Sequence, residues 1–149
     1  FKKKYESTIG LEVSEIELNT NRGDIKIKFW DTAGQEKFGK LREENYKKAD
    51  GFIIMFDLTS RITYNNCGNW YDDIKKSLSD ENKPKAVLVG NKLDMNENIK
   101  VNSRVITLPK RKQIKYFPIS VKDENDIELP LLELIRVLKN DEKIEFICD

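Results

Sequence analysis

Three short runs place chemically useful side chains directly after apolar stretches. Asn91-Lys92-Leu93-Asp94 follows residues 86–90. An ionised Asp94 is a pure acceptor. Guanine offers two adjacent donors on its ring edge, N1–H and the 2-amino group, and adenine offers no such pair. Charge-assisted bonds of about 1.5–3 kcal/mol each would choose guanine over adenine by orders of magnitude. The Lys92 stem could lie along a base, and Asn91 could tie neighbouring loops together. The plain alternative is a polar loop after a strand. Asp31-Thr32-Ala33-Gly34-Gln35-Glu36 follows residues 24–30. Phosphoryl transfer needs a carboxylate near Mg²⁺, a backbone N–H at the γ-phosphate and a group orienting the attacking water. Asp31, Gly34 and Gln35 can fill those roles in that order, and Gly34 lets the backbone approach closely. Alone the run is an Asp/Gly turn; together with N-K-x-D it is specific. Ser120-Val121-Lys122, after residues 115–119, means nothing alone, but at the same sheet edge it could close over the base.

Composition removes several other chemistries. The 149 residues include no histidine, which excludes Ser-His-Asp and Cys-His catalysis and His-based metal sites. Cys67 and Cys148 lie far apart, form no C-x-x-C, and suit a reducing compartment. Lys+Arg of 27 against Asp+Glu of 26 gives a net charge of +1, which argues against a dedicated nucleic-acid binder. The length is that of one domain, residues 1–149. Its apolar runs are too short to span a membrane, and no signal peptide is visible. Residue 1 is Phe, and the only methionines are Met55 and Met95, so a fragment, incomplete gene product or trimmed chain is expected.

Periodicity supplies the elements that must hold these runs. Leu11, Val13, Ile16 and Leu18 alternate loosely with acidic residues. Ile25, Ile27 and Phe29 alternate with Lys26 and Lys28, and Thr20-Asn21-Arg22-Gly23 lies between the two segments. That predicts a hairpin with one wet face. Residues 51–57 are apolar almost throughout, which predicts a strand buried on both faces at the centre of a parallel sheet. Residues 86–90 read the same way, and residues 115–119 more weakly. Cys67, Trp70, Ile74 and Leu78 mark one helical face, with Ser60 as N-cap. Leu131, Leu134, Ile135 and Leu138 mark another, with Pro130 in its first turn. Alternating strands and helices imply an α/β domain.

The three runs in this order resemble a small GTPase of the Ras superfamily. The turn Thr20-Asn21-Arg22-Gly23, then Phe29-Trp30-Asp31-Thr32-Ala33-Gly34-Gln35-Glu36-Lys37-Phe38-Gly39, Ile54-Met55-Phe56-Asp57, Thr59-Ser60-Arg61, Asn69-Trp70 and Gly90-Asn91-Lys92 are similar to its nuclear-transport (Ran) branch, over nearly the whole chain. Rab proteins share the D-T-A-G-Q-E run but usually lack that turn. The resemblance implies a P-loop NTPase-like G domain, with a mostly parallel sheet, helices on both faces, and GTP or GDP with Mg²⁺ as ligands. It implies that Thr8, in Ser7-Thr8-Ile9-Gly10, meets Mg²⁺ and the γ-phosphate with Tyr5 nearby, that Asp31 holds Mg²⁺ through water, and that Gln35 orients the hydrolytic water. Gly34, Asn91, Lys92, Asp94, Ser120, Val121 and Lys122 would bind nucleotide. Phe38 would be an apolar anchor for a transport partner, or else a core residue. Lys110, Arg111 and Lys112 would face import receptors, or else form a solvated charge run. Import and export receptors, an exchange factor and a GTPase-activating protein would be partners, with locations in nucleus and cytoplasm.

The match has gaps. A strand, a G-x-x-x-x-G-K-[ST] loop and a helix are expected ahead of Phe1. Gly34-Gln35-Glu36-Lys37-Phe38-Gly39-Lys40-Leu41 fits that pattern until Leu41, which has no hydroxyl for Mg²⁺. Without P-loop amides and lysine, tight nucleotide binding is not expected of this chain, and two strand edges are expected to lack partners. Val121 stands where the family prefers Ala. The end Ile147-Cys148-Asp149 is neither a C-a-a-X box nor a double-cysteine tail, so neither prenylation nor a membrane anchor is indicated, and the missing acidic tail adds to the expectation of a trimmed chain. Other readings of the same chain are a nucleotide-free binding module, a Rab-like trafficking GTPase and, weakest, an RNA-binding domain without an aromatic platform.

Overall fold

A computed structural model of the chain describes residues 6–8, 11–31, 39–78, 82–124 and 126–147. They form two compact units, Phe1–Lys48 with Lys143–Asp149, and Ala49–Glu142.

The first unit holds strands β1 (Glu6–Thr8), β2 (Leu11–Thr20) and β3 (Gly23–Asp31), followed by helix α1 (Gly39–Lys48). The three strands form an antiparallel sheet in the order β1-β2-β3. The predicted hairpin is β2–β3, with Thr20 opposite Gly23 around Asn21-Arg22. Gly23 has φ +101°, a conformation that L side chains rarely adopt. The Thr20 hydroxyl closes the turn, accepting from Arg22 N–H at 3.1 Å and donating to Gly23 O at 2.6 Å. Register explains the looser alternation in β2. Ile16 faces Ile27 and Leu18 faces Ile25, whereas Val13 lies opposite the exposed Trp30 on the other face. Glu15 lies opposite Lys28 and Glu17 opposite Lys26, so the wet face is charge-matched across the strands.

The Thr20-Asn21-Arg22-Gly23 turn has a second task. The Asn21 side chain donates to Lys143 O at 2.9 Å and accepts from Glu145 N–H at 3.0 Å, and Asn21 N–H donates to Glu145 O at 3.1 Å. With Ile147 N–H on Asn19 O at 3.0 Å, these bonds dock residues 143–147 against the hairpin end, where Ile144 is buried.

The second unit holds β4 (Phe52–Asp57), α2 (Arg61–Ser77), β5 (Ala86–Asn91), α3 (Leu108–Lys112), β6 (Lys115–Pro118) and α4 (Glu128–Lys139). Its three strands are parallel, in the order β4-β5-β6. The architecture is therefore α/β, and among the described residues three strands are antiparallel and three parallel. Helices cover opposite faces of the second sheet. Val87 and Val89 of β5 pack with Ile119 and with Leu134 of α4. On the other face Phe56, in register with Gly90, meets Tyr64 of α2 edge-on at 5.1 Å and stacks on Tyr116 at 6.0 Å. This crowding explains Gly90, where a Cβ would come within 2.8 Å of the Tyr116 hydroxyl and 2.9 Å of the Phe56 ring.

Three expectations are corrected. Residues 51–57 are not buried on both faces: Phe52, Ile54 and Phe56 are, but Ile53 and Met55 are 36% and 50% exposed. Register puts those two on the α4 face, and α4 packs on β5 and β6. Among the described residues no helix extends over them. The buried stripe of α2 is Tyr64, Cys67, Tyr71 and Ile74, with Trp70 only half-buried and Leu78 past the last turn. Ser60 holds the N-cap position but makes no side-chain cap bond, and its backbone O accepts from the Thr63 hydroxyl at 2.7 Å. The α4 stripe is as expected, with Pro130, Leu134 and Ile135 buried. No helix among the described residues is long and apolar enough to cross a membrane.

Candidate functional site

The parallel strands β4, β5 and β6 end together, and the register pairs Asp57 with Asn91 and Pro118 with Gly90. Loops leaving those ends converge, as expected where open α/β sheets bind ligands. The loop after β5 is pinned on both sides. Leu58 N–H donates to Asn91 O at 3.0 Å from the β4 side. Leu93 N–H donates to Ile119 O at 3.0 Å towards the β6 side, and Ile119 N–H donates back to Gly90 O at 2.8 Å.

Within this frame, four residues from two of the predicted runs meet. The Asn91 side chain accepts from Val121 N–H at 3.1 Å, so Asn91 does tie the two loops together. Ser120, fully buried, donates its hydroxyl to Asp94 Oδ1 at 2.8 Å and accepts from Asp123 N–H at 3.1 Å. Asp94 is thereby oriented by a group 26 positions away. A carboxylate offers about four lone-pair sites, so this one bond leaves it acceptor capacity. The Val121 N–H is committed to Asn91, while the Val121 side chain and Lys122 are exposed. The Val-for-Ala replacement therefore meets solvent here.

Lys92, expected to lie along a base, is engaged by a neighbouring strand end. Its backbone is left-handed, φ 70°, and Met95 N–H closes a turn onto Lys92 O at 3.0 Å. Its ammonium reaches back to Asp57 Oδ2 at 2.6 Å. Asp57 is fixed in turn: its Oδ1 accepts from Thr59 N–H at 2.8 Å and from the Thr59 hydroxyl at 2.7 Å. Its own N–H donates to Thr63 Oγ1 at 2.9 Å. Burial pushes the Asp57 carboxyl upward, but Lys92 and the Thr59 bonds outweigh this and hold it below its ordinary 3.8. Sequence reasoning missed Asp57; the signal available was an Asp closing an apolar strand, followed two positions later by Thr59.

The remaining predicted residues lie elsewhere. Thr8 closes β1 opposite Leu11, and Asp31 closes β3 opposite Glu12, so register brings both to the same end of the antiparallel sheet, flanking β2. Among the described residues no group of three or more His, Cys, Asp or Glu could hold a metal. Tyr5, Gly34, Gln35 and Phe38 lie outside the described residues. Lys110, Arg111 and Lys112 form the last turn of α3, where positive charge suits the helix dipole. Lys110 and Arg111 are exposed, but Lys112 pairs with Asp72 at 3.3 Å and lies 5.2 Å from the Tyr71 ring centre. The patch is thus two free-facing cations beside one engaged with α2.

Set against known protein families, residues 1–140 match the Ras family. The match spans every strand and helix described above.

Proposed function

The chain belongs to the Ras family of small GTPases, with the α/β P-loop NTPase-like fold of that family, and from that premise we propose that it is a GTP/GDP switch of the Ran type, serving traffic between nucleus and cytoplasm. One observation carries the guanine reading. Asp94 is oriented by buried Ser120, on a loop bonded to both neighbouring strand ends. An acceptor-only group held in place before the ligand arrives is what selection of the guanine N1–H and 2-amino donors requires.

The other roles come from the family. The family resemblance gives Thr8 and Asp31 to Mg²⁺, since a hydroxyl and a carboxylate are hard oxygen donors; register itself only sets the two residues at one sheet end, on either side of β2. A Mg²⁺ ion held by this residue pair would neutralise phosphate charge. Gly34 and Gln35 would serve the γ-phosphate and the attacking water. We read the two compact units as parts of one G domain. Exchange factors, GTPase-activating proteins and effectors are partners of the kind this family uses. The Ran assignment adds import and export receptors, with Phe38, Lys110 and Arg111 as contacts and Lys112 contributing less. It rests on the Thr20-Asn21-Arg22-Gly23 turn and the runs that accompany it.

The test is competition against fluorescent GDP in Mg²⁺. GTP should displace it and ATP at equal concentration should not. Asp94→Asn should cut the preference for GTP over ATP by about ten- to a hundredfold, because an amide presents a donor where guanine also donates. Equal displacement by ATP would reject the reading. Import receptors that fail to distinguish the GTP-loaded from the GDP-loaded chain would leave a Ras-family protein without the transport role.

A further inference from the structure

We infer that Asp57 is a positioning residue for the base-recognition loop, acting through the Lys92 ammonium; this rests on the guanine reading above. The two groups come from different strands. Asp57 ends β4, its carboxylate held by two bonds from Thr59 and its backbone by two bonds with the Thr63 hydroxyl. It is a charge fixed to the sheet. Lys92 leaves β5 in a left-handed conformation that non-glycine residues rarely adopt. The 2.6 Å ion pair draws its side chain back over the strand ends, instead of leaving a long flexible cation in water.

Two consequences follow for the loop. The Lys92 backbone is the hinge on which Asp94 is carried: Lys92 O accepts from Met95 N–H at 3.0 Å, and the next residue, Leu93, donates to Ile119 O at 3.0 Å. Fixing Lys92 at both ends therefore restrains the segment between Asn91 and Asp94. A Lys side chain also carries large rotamer entropy, and losing it before the nucleotide arrives removes that cost from binding. Asp57 itself reads no base. It should change how tightly nucleotide is held and leave unchanged which base is preferred, since preference belongs to Asp94.

Asp57→Asn is a suitable probe. Its side-chain oxygen can still accept from Thr59, so the turn survives while the charge is removed. Lys92→Met and the double variant complete the set. The first readout needs no nucleotide: amide hydrogen exchange of Leu93 and Met95 in the full 149-residue chain. Each single variant should speed exchange about three- to tenfold, and the double variant no more than either single. The second readout is fluorescent GDP, which Asp57→Asn should bind about three- to tenfold more weakly with the GTP-over-ATP preference unchanged. Unchanged exchange, additive effects in the double variant, or an altered base preference would each overturn the inference. Failure of the unmodified chain to bind GDP would remove the guanine reading alone, because the exchange comparison still decides whether Asp57 holds the loop.

Discussion

Asp57 and Asp94 both follow parallel strands, yet their surroundings give them different chemistry. Asp94 takes a neutral hydroxyl from Ser120 and keeps acceptor capacity. Asp57 accepts two bonds from Thr59 and pairs with the Lys92 ammonium. Its carboxyl is held below the ordinary value in the folded chain. A depressed carboxyl contributes stability that is fully present above its unfolded pKa, about 3.9, and is lost as the pH falls through the folded value. The stability gap between wild type and Asp57→Asn, followed by urea denaturation, should be flat above about pH 5 and close below about pH 4. A gap that stays unchanged on acidification would mean that the pair is not formed. Asp94 was legible in the sequence because it belongs to a four-residue pattern with its own chemistry. Asp57 was not, since its partner lies 35 positions away and its only local mark is a strand ending in Asp.

At the scale of elements, alternation decided what could be read. Residues 24–30 alternate cleanly, and the hairpin follows from that pattern and the Asn/Gly turn. The uniform apolar run of β4 was misleading, because hydrophobicity records what a strand can bury and not what covers it. Ile54 and Met55 separate the two ideas. Ile54→Ala should cost about 2–4 kcal/mol, while Met55→Lys, on the half-exposed face, should stay within about 1 kcal/mol. Comparable thermal losses for both would show that the β4 outer face is covered in solution. The α2 stripe was read correctly at Cys67 and Ile74, but Tyr64 and Tyr71 are buried where Trp70 and Leu78 were expected. Tyr64 is instead a structural acceptor. Its hydroxyl takes Thr107 N–H at 2.9 Å and Leu108 N–H at 3.2 Å, in place of the side-chain cap that Thr107 does not supply to α3. Tyr64→Phe should cost about 1–3 kcal/mol and speed amide exchange at Leu108 well beyond that of the β5 core.

For the molecule as a whole, the family motifs divide between the two compact units. The antiparallel unit carries Thr8 and Asp31 at one sheet end. The parallel unit carries Asp57, Asn91, Lys92, Asp94 and Ser120 at the shared end of its strands. The order of motifs along the chain was enough to indicate an α/β nucleotide-binding protein, and the loops after β5 and β6 meet as that order required. Which atoms hold which was beyond sequence reasoning: Ser120 on Asp94, Asn91 on Val121 and Lys92 on Asp57 are contacts that only the register of parallel strands creates. The central claim is that this loop cluster reads guanine. An amide NMR titration of the chain with GDP, and in parallel with ADP, tests it most directly. GDP should move the resonances of residues 91–95 and 120–123, and ADP at the same concentration should leave them in place. Equal shifts with both nucleotides, or GDP shifts confined to other residues, would contradict the account.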